Sequence, residues 1–131
     1  MFAVNNYPIT IAETQSFIRD AKKVFEEEER EGLIQFLALN PGVGDVIKGT
    51  GGVRKLRWPA KSQGKRGGAR IIYYFRDLNM PVYLLALFVK GEKIDLTDQE
   101  KAMMSNLVDV LVAAHLGKTY EFLKSQSDQS A

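Results

Sequence analysis

Val53-Arg54-Lys55-Leu56-Arg57-Trp58 alternates. Along an extended chain Arg54, Leu56 and Trp58 fall on one side, and Val53, Lys55 and Arg57 on the other. The stretch predicts a strand that sends Leu56 and Trp58 into a core and sets two cations together on the opposite face. Gly49-Thr50-Gly51-Gly52 reads as the turn that opens it. This is not a phosphate loop, because it lacks a Gly-Lys-Ser/Thr ending and leads into a strand rather than a helix. Pro59 is expected to stop the strand. Residues Ala60 to Gly68 read as a glycine-rich cationic loop. Ala69-Arg70-Ile71-Ile72-Tyr73-Tyr74-Phe75, rich in β-branched and aromatic residues, predicts the next strand, with Arg70 and Tyr74 on one face. Asp77-Leu78-Asn79 is a turn. Pro81 to Val89 is almost wholly apolar and predicts a strand covered on both faces.

Upstream, Phe2 to Val4 is a candidate short first strand, broken by Tyr7-Pro8. From about Ile11 a helical pattern begins, with Phe17, Ile18, Ala21, Val24 and Phe25 on one face. Leu33, Ile34, Phe36 and Leu37 form a second apolar stripe. Two helices, or one bent helix, are therefore expected over Ile11 to Leu39, ended by Asn40-Pro41-Gly42. The acidic run Glu26 to Glu29 reads as a solvated helix face, or else as a contact with the chain's own basic surface or a partner. Downstream, Thr97-Asp98-Gln99-Glu100 is a capping-box start. Met103, Met104, Leu107, Val108 and Leu111 continue one apolar face, and Gly117 is placed to end the helix. Ser125 to Ala131 reads as a disordered tail. The order predicts an α+β fold, with a small, mostly antiparallel sheet, in a single domain over residues 1–124.

Composition narrows the function. With 131 residues, 45% of them hydrophobic, the chain fits one domain of ordinary size. No apolar run approaches the ~20 residues a membrane helix needs. The N-terminus lacks the charged start and apolar stretch of a signal peptide, so a cytoplasmic location is expected. The absence of cysteine excludes disulfides, thiolate zinc sites and cysteine nucleophiles. The single histidine, His115, lies on the apolar stripe of the last helix and reads as a packed or capping residue; a histidine pair is excluded.

The net charge of +2 conceals a separation. Lys48, Arg54, Lys55, Arg57, Lys61, Lys65, Arg66, Arg70 and Arg76 lie in one 29-residue segment that has no acidic residue. The remainder holds nine basic and 16 acidic residues. Such an arrangement points to a polyanion site. Lys90 ends the last long strand, and Lys93 follows it. If these strands are neighbours, their cations converge on one face that can hold a phosphodiester and stabilise charge building on its oxygens. The alternative open at this stage is that they only bind backbone phosphates.

Several segments, taken in order, resemble one family. They are Gly51-Gly52-Val53-Arg54-Lys55-Leu56-Arg57-Trp58, a basic loop, Gly67-Gly68-Ala69-Arg70-Ile71-Ile72-Tyr73-Tyr74, Leu84 to Lys90, and Glu92-Lys93-Ile94-Asp95-Leu96-Thr97. Together they resemble the RelE superfamily of bacterial toxins, and within it the HigB-type branch. The resemblance runs from about Ile11 to Leu116 and is specific mainly between Gly49 and Leu96. It implies two N-terminal helices packed on a curved antiparallel sheet, with a C-terminal helix. It also implies a toxin of a type II toxin-antitoxin module that cuts messenger RNA in the ribosomal A site. In such toxins the RNA 2′-hydroxyl attacks the adjacent phosphate without metal or cofactor. The implied partner is a cognate antitoxin with a helix-turn-helix DNA-binding domain, which is the toxin's only link to operator DNA. Membranes are not implied.

By that resemblance Lys55, Arg57, Arg70 and Lys90 are the catalytic set, with Lys93 a rival for the place of Lys90. Arg54, Lys61, Lys65, Arg66, Tyr74 and Lys93 are the implied RNA contacts. The distal tyrosine of the family falls at Leu96 here, which leaves the general base open between Lys55 and Tyr74. Two other classes stay open: a gyrase-poisoning toxin of the ParE type, which shares the fold, and a plain nucleic-acid-binding module.

Overall fold

The computed structural model describes residues 7–60, 65–89 and 95–129, of which 65–67 and 118–129 are described by backbone alone. The elements are β1 (Ile11–Glu13), α1 (Gln15–Val24), α2 (Glu27–Leu39), β2 (Asp45–Val46), β3 (Val53–Ala60), β4 (Lys65–Tyr74), β5 (Val82–Val89) and α3 (Asp98–Gln129). They form an α+β fold around an open five-stranded sheet of order β1-β5-β4-β3-β2. All pairings are antiparallel except β1 with β5. The α1–α2 pair covers one face of the sheet and α3 covers part of the other.

The helical pattern does not begin at Ile11 as expected. Ile11, Ala12 and Glu13 are a strand that pairs in parallel with Val82, Tyr83 and Leu84. Thr14 makes the change of structure. Its hydroxyl donates to the Leu84 carbonyl (3.0 Å) and accepts the Phe17 N–H (3.2 Å), so one side chain caps α1 and ties it to β5. The candidate strand Phe2–Val4 lies outside the described residues.

Two helices follow rather than one bent helix, and the acidic run is the reason. Glu26 is the N-cap of α2, and the Glu29 carboxylate accepts the Glu26 N–H at 3.0 Å in a capping box. Glu27, Glu28 and Glu29 fill the first turn, where the helix dipole favours anions. Asn40 ends α2 as expected. Phe17, Ala21, Val24, Phe25, Leu33 and Leu37 pack on Ala69, Ile71, Tyr73, Val82, Leu84, Leu87 and Val89. Arg30 binds Glu13 through both carboxylate oxygens, one at 2.9 Å, joining α2 to β1. This pairing raises the Arg30 pKa despite partial burial.

Pro59 does not stop β3. The strand runs on to Ala60 because the ladder skips at that point: Trp58 pairs with Ala69, and Ala60 with Lys65. A proline with no N–H is tolerated at such an irregularity. Gly68 makes the crossing possible. It has φ +69, and a Cβ there would stand 2.6 Å from the Trp58 carbonyl oxygen.

The second core packs α3 onto the other face. Met104, Leu107, Val108, Leu111 and Val112 meet Val53, Ile72, Tyr74, Leu85 and Leu96. A bulge at Leu85 puts Leu85 and Ala86 on the same side. The capping box of α3 is present, with Thr97 N–H to Glu100 at 2.9 Å and Glu100 N–H to Thr97 at 3.1 Å. Two expectations for α3 are corrected. Met103 faces outward, and Gly117 does not end the helix, which continues through the segment read as a tail as far as Gln129. No helix is long and apolar enough to cross a membrane among the described residues.

Candidate nucleic-acid interface

The alternation read from Val53 to Trp58 decides where the cations stand. Leu56 and Trp58 pack toward α1 and α2, and Val53 packs toward α3. Lys55 and Arg57 therefore share the α3 side of the sheet. On β4, Ile71 and Tyr73 join the α1–α2 core while Ile72 and Tyr74 join the α3 core, so Arg70 also faces the α3 side.

The ladders order this face into rows. Val53, Tyr74 and Tyr83 form one row, Lys55, Ile72 and Ala86 the next, and Arg57, Arg70 and Phe88 the third. The apolar cluster on the α3 side takes in Val53, Ile72 and Tyr74 and reaches Ala86 and Phe88 in the second and third rows. Lys55 is about one-third exposed and Arg57 is exposed. The site is thus a cationic end of one sheet face, beside a partly buried aromatic, Phe88.

Among the described residues, the Asp95 carboxylate reaches this end. Asp95 lies 3.3 Å from the Lys55 ammonium, and its other oxygen accepts the Leu96 N–H at 2.8 Å. The Leu96 hydrogen bond is the main cause that lowers the Asp95 pKa; the bond and charge of Lys55 add to it, and partial burial opposes it. Asp95 thus tethers the Lys55 side chain at the entry to α3. Sequence reading missed this contact, which joins positions 40 residues apart. The only local signal was a carboxylate two residues before the Thr97 cap.

The nine-cation segment is not one surface. Arg54 is on the α1–α2 side, where its guanidinium donates to the Gly42 carbonyl (3.0 Å) and the Gly44 carbonyl (2.7 Å). It holds a loop, away from Lys55, Arg57 and Arg70. Lys48 is exposed in the β2–β3 connection. Arg76 pairs with Asp77 at 3.2 Å beyond the end of β4.

Tyr74 shares the face of Arg70, as expected, but only 6% of it is exposed, beneath α3. It is placed to pack rather than to stack on a base. Burial raises its pKa, which opposes a role as general base near neutral pH. Lys61, Lys90 and Lys93 lie outside the described residues. Lys65 and Arg66 lie in β4, where only the backbone is described. His115 is partly buried on α3, well before the end of that helix.

Behind the site, Tyr73 fixes the α2–β2 loop. Its hydroxyl donates to the Pro41 carbonyl (2.9 Å) and accepts the Gly44 N–H (2.8 Å). Gly44 is needed there, since a Cβ would stand 2.7 Å from that hydroxyl and 2.9 Å from the Lys55 carbonyl oxygen. The loop residue thus presses on the backbone of a site strand. No family model matches the chain.

Proposed function

We propose that the protein is a RelE-like, HigB-type toxin of a type II toxin-antitoxin module, a ribosome-dependent endoribonuclease that arrests translation by cutting messenger RNA. The observation that carries this reading is the placement of Lys55, Arg57 and Arg70 together on the α3 side of the sheet, with Arg57 exposed. Sequence resemblance supplies the rest.

In this account the scissile phosphate lies across the Arg57–Arg70 row. The RNA 2′-oxygen attacks phosphorus, the bond from phosphorus to the 5′-oxygen breaks, and the products are a 2′,3′-cyclic phosphate and a 5′-hydroxyl. Arg70 and Arg57 donate to the non-bridging oxygens as charge grows on them, where a well-placed donor contributes about 10²–10³ in rate. Lys55, held by Asp95, assists proton movement at the reacting oxygens. Lys90 serves as a further phosphate ligand. The reaction takes place in the cytoplasm, and a helix-turn-helix antitoxin restrains it.

The test is induced expression followed by primer-extension mapping of transcript ends. The reading expects growth arrest with new ends inside coding regions, and neither in Arg70→Ala. Intact transcripts during arrest, with DNA breaks in their place, would select a gyrase poison instead.

A further inference from the structure

A surface pocket of about 320 Å³ opens between the start of α2 and the end of β3, lined by Glu28, Glu29, Gly32, Trp58 and Pro59. It lies on the α1–α2 side of the sheet, the face opposite Lys55, Arg57 and Arg70. Trp58 is the only tryptophan in the chain. Its indole is fixed from two sides. The ring N–H donates to the Glu29 carbonyl at 3.0 Å, and the Phe36 ring centroid lies 5.3 Å away.

Gly32 is the residue that packing does not explain. It sits in the interior of α2, without a positive φ. A Cβ there would meet Trp58 Cζ2 at 3.6 Å, an ordinary contact. Helix propensity favours alanine at such a position, and alanine would fit. Glycine keeps open a space beside the indole that a methyl group would occupy. A local sequence choice that runs against helix stability is expected where a site is being preserved.

The lining sets the chemistry. Among the described residues it combines a fixed aromatic ring with two glutamates and no cationic side chain, so phosphate is disfavoured and an organic cation is favoured. The Glu29 carboxylate already accepts the Glu26 N–H, which leaves Glu28, exposed at the rim, as the ion-pairing group. A planar guanidinium both stacks on an indole and pairs with a carboxylate, which an ammonium does less well. We propose that this pocket receives an arginine side chain of a partner protein, stacked on Trp58 and paired with Glu28. The proposal stands independently of the RNA-cleavage reading, and its site is on the opposite face of the sheet from the cations.

The fluorescence of Trp58 reports on the pocket directly. The full chain is titrated with the capped tripeptide Gly-Arg-Gly and with its citrulline counterpart, which has nearly the same shape and no charge. A saturable change with the arginine peptide is expected, with the citrulline peptide at least tenfold weaker. Glu28→Gln should weaken the arginine peptide several-fold. Gly32→Ala should abolish the response without lowering the thermal midpoint. A response that does not saturate, equal binding of citrulline, or full binding by Glu28→Gln or Gly32→Ala would overturn the proposal. Tetramethylammonium binding as tightly as the peptide would overturn the assignment to a protein side chain.

Discussion

Arg57 and Arg70 are direct partners across the β3–β4 ladder. Side chains so placed have Cβ atoms about 4.5–5.5 Å apart, and like charges at that spacing destabilise a sheet. Arg57→Gln should therefore leave thermal stability unchanged or slightly higher, while Arg57→Gln and Arg70→Gln should each lower RNA cleavage by about 10²–10³. Thermal unfolding and a single-turnover cleavage assay on the same preparations check both halves. A lowered melting temperature with cleavage intact would make the pair structural.

Removing the Tyr73 hydroxyl should cost more than its size suggests. Tyr73→Phe strands the Gly44 N–H and the Pro41 carbonyl around a buried position. The expected loss is about 1–3 kcal/mol, measured by urea unfolding. Burial also raises the Tyr73 pKa. The unfolded chain then ionises first as pH rises, so the stabilisation is complete below pH ~10 and is lost above it. Tyr73→Phe should flatten that alkaline decline, and an unchanged decline would assign it to other groups.

The Asp95 carboxyl is held below its ordinary range by Leu96 and Lys55. Its contribution is therefore present above the unfolded value of about 3.9 and is lost as pH falls below it. At 42% side-chain exposure the effect is small. Asp95→Asn should reduce the slope of stability against pH below about pH 4 and leave it unchanged near neutrality. A loss of stability at pH 7 comparable to that of Tyr73→Phe would show that Asp95 supports the fold more broadly.

The main strands of the sheet were legible because period-two alternation survives in Val53–Trp58 and a β-branched run in Ala69–Tyr74. The α3 start was legible because Thr97 and Glu100 carry a local mechanism. What was illegible depends on distant partners. Ile11–Glu13 is only three residues long and gains strand character from pairing with β5. Pro59 is accommodated by Gly68 across the hairpin. Of the site, the shared face of Lys55 and Arg57 was readable from parity, and Arg70 joins them through the β3–β4 register, which parity does not fix. Arg54 was misleading, because its charge belonged to the basic run while its parity placed it on the opposite face, bound to loop carbonyls. Asp95 could not be found, since nothing local links it to Lys55.

Gly117 lies inside α3 with no atom of the described residues within 4 Å of where a Cβ would be. Gly117→Ala should stabilise the protein by about 0.5–1 kcal/mol through helix propensity alone. Chemical unfolding is the check, and destabilisation would reveal a helix end or a contact at that position.

The central claim is that the cations of one sheet face cut RNA by internal attack of the 2′-hydroxyl. The direct measurement is the end chemistry of messenger RNA cleaved by purified protein on programmed ribosomes. The account predicts 5′-hydroxyl ends, resistant to ligation until phosphorylated, and none with Arg70→Ala. Ends bearing 5′-phosphate, or equal cleavage by Arg70→Ala, would contradict it.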